Sequence, residues 1–412
     1  MAQARAVVIG AGIGGLAAAA GLCSAGWTVT VCDRVSSLEP VGVALGLAPN
    51  GLRALDVIGA GDVLRELAVP QEVGIRRSDG RWLMRSTTRQ VILDRFGDTI
   101  ILMPRSAVVD ALAARVPPGV LSLATEVTSV EAGRQGGTGG QGAARVVTTA
   151  GELEADLVVA ADGIGSATRS ALFPDHPGLR YAGFTTWRLL AGSATGQTGV
   201  TGQVPMAETW GRGTVFGVMP LSDGRVYCYA AAPAPPGQRA ADNELAELVR
   251  LFGRWHEPIP GLLASAAPRD VLRHDVAELA EPLPSFHHGR VALLGDAAHP
   301  MTPNLGQGAC QALEDAAVIA RLAAGTEPDG VPAMLARYTA ARLLRTHNVV
   351  RWSRRAGAMT TWAAPPAVAF RNTAIWLAGR LPPSAAIRSL VPVYGWQPPP
   401  AARPAAGGDP SR

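Results

Sequence analysis

The chain has 412 residues, 48% hydrophobic and 17% charged, a balance that supports a large globular core and excludes a disordered chain. All 37 basic residues are arginine, so Schiff-base lysine and lysine general-base chemistry are ruled out. The net charge is only +4 and the arginines are dispersed, apart from a small cluster at Arg351, Arg354 and Arg355, which argues against nucleic-acid binding.

Ala6 to Ile9 reads as a buried strand, followed at once by Gly10-Ala11-Gly12-Ile13-Gly14-Gly15. A helix from Leu16 to Ser24 and a strand from Thr28 to Cys32 complete a βαβ unit ending at Asp33. This is the dinucleotide fingerprint in its required context. Gly10 permits the tight turn, Gly12 lets backbone approach a pyrophosphate, and Gly15 lets helix pack on strand; Asp33 stands where a carboxylate takes ribose hydroxyls. The fingerprint does not separate FAD from NAD. Residues 6 to 32 carry no charge, but six glycines and the strand–helix–strand change of pattern argue against a membrane span.

Gly42 to Asn50, GVALGLAPN, leads into a helix from Gly51, with Pro49-Asn50 as its start signal. Glu72 to Leu93 reads as strand, turn at Asp79-Gly80, and strand. Arg105 opens a helix ending at Pro117-Pro118; an arginine there reaches either a phosphate or ribityl group or solvent. Thr125 to Val130 and Arg145 to Thr149 form a hairpin around the glycine-rich tip 133–142. Leu157 to Ala161 is another buried strand, ending in Asp162-Gly163-Ile164-Gly165-Ser166 with Arg169 behind it.

From Tyr181 to about Pro268 the texture becomes alternating strands, whose aromatics Trp187, Trp210, Phe216, Tyr227 and Tyr229 suit one sheet face covering a ligand, or plain core packing. Asn243 to Trp255 reads as a helix. Val291 to Leu294 is a strand that stops at Gly295-Asp296; a Pro/Gly-rich loop follows, and Gly308 opens a helix. Asp296 can accept from polyol hydroxyls, while the N–H groups around Leu305, Gly306, Gln307 and Gly308 point at negative charge such as that of a reduced flavin. The rest is helical to about Gly379, and residues 397–412 form a Pro/Ala/Gly tail expected to be disordered. The cysteines Cys23, Cys32, Cys228 and Cys310 show no metal-binding spacing, so no metal is expected, and they suit thiols in a reducing cytoplasm.

Three separated motifs agree: GAGIGG with Asp33, DGIGSATR at Asp162, and GDAAHPMTPNLGQG at Asp296. Together they resemble the single-component (group A) FAD-dependent aromatic monooxygenases, the fold of para-hydroxybenzoate hydroxylase. GVALGLAPNGLRAL and FTTWR are most similar to the salicylate hydroxylase, urate hydroxylase and zeaxanthin epoxidase branch. The resemblance, over roughly residues 5–355, implies an α/β fold: a Rossmann-type FAD-binding domain interleaved with a β-sheet substrate domain, and C-terminal helices. The expected boundaries are 1–70, 101–178 and 270–330 for the FAD domain, 71–100 and 179–269 for the sheet, 331–395 for the helices and 396–412 for the tail.

By motif match, Gly10, Gly12, Gly14, Gly15, Asp33, Arg34, Arg105 and Val127 hold the ADP half and ribityl chain of non-covalent FAD. Asp162 helps hold the pyrophosphate region, Asp296 the ribitol, and Leu305 to Gly308 the flavin ring, with Pro303 near its reacting face. The implied reaction takes a hydride from NAD(P)H and forms a C4a-hydroperoxyflavin with O2. That adduct hydroxylates an aromatic or heteroaromatic small molecule, or epoxidises an alkene. Some relatives place a histidine in the segment matching residues 42–50, where this chain has Leu45-Gly46-Leu47; Gly46, Trp187, Trp210, Phe216 and Pro303 are the expected substrate contacts. The candidate catalytic residues are Arg188, Tyr227 and Tyr229, and His299 is read as structural. A single fingerprint disfavours a Baeyer–Villiger enzyme, and the lack of lysine disfavours a flavin halogenase. A flavin-dependent reductase of the same superfamily and a non-catalytic flavin-binding protein are the competing readings. The expected state is a cytoplasmic monomer or homodimer without nucleic-acid partners or an integral membrane segment.

Overall fold

The computed structural model describes residues 3–38, 44–67, 74–85, 89–133, 142–192, 204–221 and 224–400. Its core is a six-stranded sheet in the order 287–288, 291–293, 157–160, 5–9, 28–32 and 121–122. All neighbours pair in parallel except the edge strand 287–288. The central strand Arg5–Ile9 and its neighbour Leu157–Ala160 are almost wholly buried, which explains their unbroken apolar runs. The helix Ile13–Ser24 packs on the helix Gly308–Ala323 through small residues: a Cβ added at Gly21 would lie 2.6 Å from that of Ala320.

Two smaller sheets flank this core. One is the hairpin of Val127–Glu131 and Ala144–Thr148, to which the chain adds a third strand, Gly151–Ala155; the expected tip lies mostly outside the described residues. The other pairs Ala44–Leu47 with Ile101–Pro104. The helix expected after Pro49-Asn50 runs Pro49–Ile58, while Gly42 of the preceding segment lies outside the described residues.

The second layer is a seven-stranded sheet in the order 272–279, 179–191, 226–233, 215–220, 207–210, 74–77 and 82–85. Three expectations are corrected here. Leu272–Leu279 pairs with Leu179–Ala191, so the sheet layer runs on past residue 269 to about 280. Val91 to Leu93 lie not in a strand but in the helix Arg89–Phe96, where a phenylalanine ring docks edge-on against Tyr394. Trp396 does not belong to a loose tail, because Arg53 Nε donates to its carbonyl at 2.9 Å; residues 401–412 lie outside the described residues.

The five aromatics do not share a face. Register places Trp187, Ala230 and Phe216 in one row and Arg188, Tyr229, Gly217 and Glu208 in the next, and adjacent rows point to opposite sides. Trp187 and Phe216 lie on the side covered by the helices Glu244–Phe252 and Ile259–Ala264. There Phe216 packs 5.2 Å from Phe252, and Trp187 Nε1 donates to Glu244 at 2.7 Å. These two residues are core, not substrate lining. Tyr227, Tyr229 and Trp210 face the other way.

Candidate active site

The parallel sheet delivers Asp296 at the end of one strand, where the charge of Arg188 from the seven-stranded sheet bears on it. At the first strand end, Gly10 takes φ +98°, and a Cβ there would lie 2.5 Å from the carbonyl oxygen of Ala161. A Cβ at Gly15 would lie 1.8 Å from Gly10 O, whereas nothing stands within 4 Å of one at Gly12. The turn is therefore closed on the protein side and open on the side a pyrophosphate approaches. Asp33 Oδ2 accepts from Ala11 N at 2.6 Å and Oδ1 from Val35 N at 3.0 Å, which fixes the carboxylate beside the turn. Arg34 is exposed, and Val127 starts its strand half-buried.

Asp162 turns inward to its own loop: Ser166 Oγ donates to Oδ1 at 2.6 Å and Thr168 N to Oδ2 at 3.1 Å. That loop in turn delivers Arg169, whose Nη1 donates to the carbonyls of Asp296 and Ala297 at 3.3 and 3.1 Å. The second motif thus braces the third.

Asp296 presents accessible surface, yet protein surrounds it on nearly every side, so it lines a cleft. Burial raises the pKa of its carboxyl, against the pull of His299, Arg105, Arg188 and Arg169. No described residue donates a hydrogen bond to this carboxylate, which leaves it as an acceptor facing the cleft. Burial lowers the pKa of Arg105, and Arg188 lowers it further while Asp296 opposes. Arg105 and Arg188 are therefore two cations whose charges both act on this carboxylate.

A polar knot that the sequence reading did not find fixes the Asp296 loop. Glu314, Asp315 and Arg342 are fully buried. Asp315 accepts from Gly295 N at 2.9 Å, His299 Nε2 at 2.6 Å and Arg342 Nε at 2.6 Å. Burial pushes its pKa up, but His299 and Arg342 outweigh that and hold it below the usual carboxylate value. Arg342 also pairs with Glu314, which accepts from Arg345 Nε at 2.6 Å and from Asn50 Nδ2 at 2.7 Å. Asn50 further donates to Gln307 at 2.9 Å, so the knot reaches the segment 305–308. The signal was available: two adjacent acids in an otherwise apolar helix demand partners. His299, read as structural, sits inside this network.

The loop after Asp296 is seated on the helix Val331–Thr360. Thr302 and Ser353 exchange hydrogen bonds at 3.1 and 2.6 Å, and a Cβ at Gly357 would lie 2.6 Å from Asn304 Oδ1. Pro303–Leu305 forms one 3-10 turn, Gly306 takes φ +61°, and Gln307 caps the helix that starts at Gly308. The first N–H groups of that 16-residue helix lack intrahelical partners, as at any helix start. Gly46 lies in the strand Ala44–Leu47, half-buried.

These features fit FAD. The glycine turn has open space where a pyrophosphate would approach, Asp296 accepts from no described donor and is open to a polyol, and a helix starts twelve residues on, at Gly308. A family profile described as FAD binding domain matches residues 3–353, and the chain belongs to that family. The aurachin C monooxygenase/isomerase of Stigmatella aurantiaca is 34% identical over 360 residues, 86% of this chain and 89% of that protein. The 3-amino-4-hydroxybenzoate 2-monooxygenase PtmB3 of Streptomyces platensis is also 34% identical, over 86% and 87%. Klebsiella pneumoniae HpxO, solved with FAD and uric acid, superposes with a TM-score of 0.82 at 27% identity, covering 94% of this chain and 95% of HpxO. The protein is an FAD-dependent monooxygenase.

Proposed function

We propose that the protein hydroxylates an electron-rich aromatic or heteroaromatic small molecule, using NAD(P)H and O2. The observation that carries this is that Arg105 and Arg188 both pull on the Asp296 carboxyl, which brings the charge of the sheet residue Arg188 to bear on the Asp296 turn. Such charge suits a polar ring better than an alkene. It resembles what the relatives act on by name, an aminohydroxybenzoate and uric acid.

In this reading Gly10, Gly12, Gly14, Gly15, Asp33, Arg34, Arg105 and Val127 hold the ADP half and the ribityl chain, with Asp162 bracing the pyrophosphate region. Asp296 holds the ribitol, and Leu305, Gly306, Gln307 and Gly308 hold the ring end. The chemistry supplied by bound FAD is the reductive activation of dioxygen. The chain's part is to exclude water, position the ring of the substrate beside Pro303, and set its charge. Arg188 stands where it steadies an anion. Tyr227 lies on the same sheet face with its ring 5.9 Å from Tyr229; burial pushes its pKa up to about 12, so its hydroxyl stays protonated. The sheet and Rossmann segments form separate units of the chain, and the protein works in the cytoplasm.

The test is NAD(P)H oxidation by purified holoprotein across phenols, N-heterocycles and polyenes under labelled dioxygen. One labelled oxygen in an aromatic product supports the reading. Conversion without label favours a reductase, and label in an epoxide overturns the aromatic assignment.

A further inference from the structure

The row Arg188, Tyr229, Gly217 and Glu208 runs across four adjacent strands on the cleft side. Tyr229 and Glu208 are separated by the strand Val215–Pro220, and what lets them touch is Gly217. A Cβ there would stand 2.1 Å from the Tyr229 ring, so the ring lies flat across the intervening strand. Its hydroxyl donates to Glu208 Oε1. Trp210 Nε1 donates to the other oxygen, Oε2, at 2.8 Å. Both partners of this carboxylate are neutral donors, and Tyr229 is pushed well above its ordinary pKa by burial and by Glu208.

The consequence is directional. A tyrosine hydroxyl has one proton, and here that proton is committed to Glu208. What Tyr229 offers to the cleft is lone pairs, in the same row as Arg188, whose charge bears on the neighbouring Tyr227. We propose that the Glu208–Tyr229 pair selects substrates bearing an ionisable O–H or N–H and takes up their proton. The substrate's O–H or N–H bond breaks, its proton passes to the Tyr229 oxygen, and Tyr229's own proton passes to Glu208. The products are a substrate anion beside Arg188, a neutral tyrosine and a neutral carboxylic acid; no electron changes hands. Tyr229 touches the substrate, and Glu208 is a positioning residue that acts through it. This rests on the hydroxylase reading above, and it supplies the base absent from residues 44–47.

The decisive variant is Glu208→Gln, nearly identical in shape. Because Trp210 Nε1 can only donate, it holds the amide oxygen, and the amide NH2 turns to Tyr229. Tyr229 then accepts from Gln and swings its proton into the cleft, changing from acceptor to donor. The experiment titrates FAD-loaded protein with matched probes and reads the flavin visible spectrum between pH 5 and 9. The probes are 3-amino-4-hydroxybenzoate and its 4-methyl ether, salicylate and its methyl ether, and 2-quinolone and its N-methyl form. The wild type is expected to favour the O–H or N–H member of at least one pair by about tenfold or more. Glu208→Gln should erase or reverse that ratio, Tyr229→Phe should erase it, and Glu208→Asp should keep its direction. FAD affinity should be unchanged in all three.

Equal binding of both members in every pair, binding of neither, or a wild-type ratio in Glu208→Gln overturns the proposal. Discrimination that behaves as described, without labelled oxygen in any product, counts against the hydroxylase reading alone.

Discussion

The two halves of the site are built by different means. On the cofactor side the parts that would face the ligand are local, a glycine turn between a strand and its own helix and a carboxylate at the end of its own strand, and distant residues such as Arg342 act only behind them. On the substrate side no part is local. Arg188, Tyr229, Gly217 and Glu208 come from four strands and meet only through register. The cofactor side is therefore written in short contiguous segments, while the substrate side depends on a pattern that no short segment contains.

The largest expected effect comes from cutting what joins the loop to the helices behind it. Arg342→Ala leaves Glu314 and Asp315 buried without their cation and should cost about 3–5 kcal/mol, read as a shifted denaturant midpoint. The same pair sets an acid limit. The folded pKa of Asp315 lies below its unfolded value, so its contribution is fully present above about 3.8 and is lost as pH falls through the lowered value. Asp315→Asn should lower stability at neutral pH and flatten this acid dependence.

Next, Gly217→Ala should separate the halves cleanly. Overpacking against the Tyr229 ring should cost about 1–3 kcal/mol and abolish hydroxyl-over-methoxy discrimination, while the FAD spectrum stays as in the wild type. Equal loss of FAD and discrimination would show that the halves are not independent.

Asp296→Asn sharpens the contrast from the other side. FAD affinity should fall by about tenfold or more, measured by flavin fluorescence. The FAD-free protein should become more stable, because the carboxyl has a raised folded pKa: its charged form opposes folding above that value, and stability grows as pH falls through it. The smallest effect is expected at Trp187→Phe, which forfeits one hydrogen bond to Glu244 on the far face. A loss of about 1 kcal/mol in thermal unfolding with unchanged probe selectivity would fit. A change in selectivity would put Trp187 back in the cleft.

The same division explains what could be read from sequence. Gly10, Gly15, Asp33 and the Asp296 turn were legible because their spacing along the chain is their spacing in space. The helix starts at Pro49 and Arg105 were legible for the same reason. Trp187 and Phe216 were placed on the wrong side because strand alternation assigns faces only once a register is known. Nothing in the sequence singles out Glu208, since Tyr229 lies 21 positions away and Gly217 shows its purpose only against that ring. The boundary at 269 was set too early because the strand 272–279 has its partner, residues 179–191, nearly a hundred residues earlier.

The order of the parallel sheet bears on how the protein comes into being. Its first strand, 5–9, is flanked by 157–160, and the strand that delivers Asp296 attaches only beyond that, at 291–293. The helix that covers the first helix ends at residue 323, and the arginines that neutralise its buried acids follow at 342 and 345. A nascent chain that has emerged only to residue 290 thus has a nucleotide turn with nothing to close it. Its apolar strand 157–160 still shows an unpaired edge. A chain cut before residue 291 is therefore expected to keep that edge exposed and to aggregate, with no site complete enough to take up the cofactor.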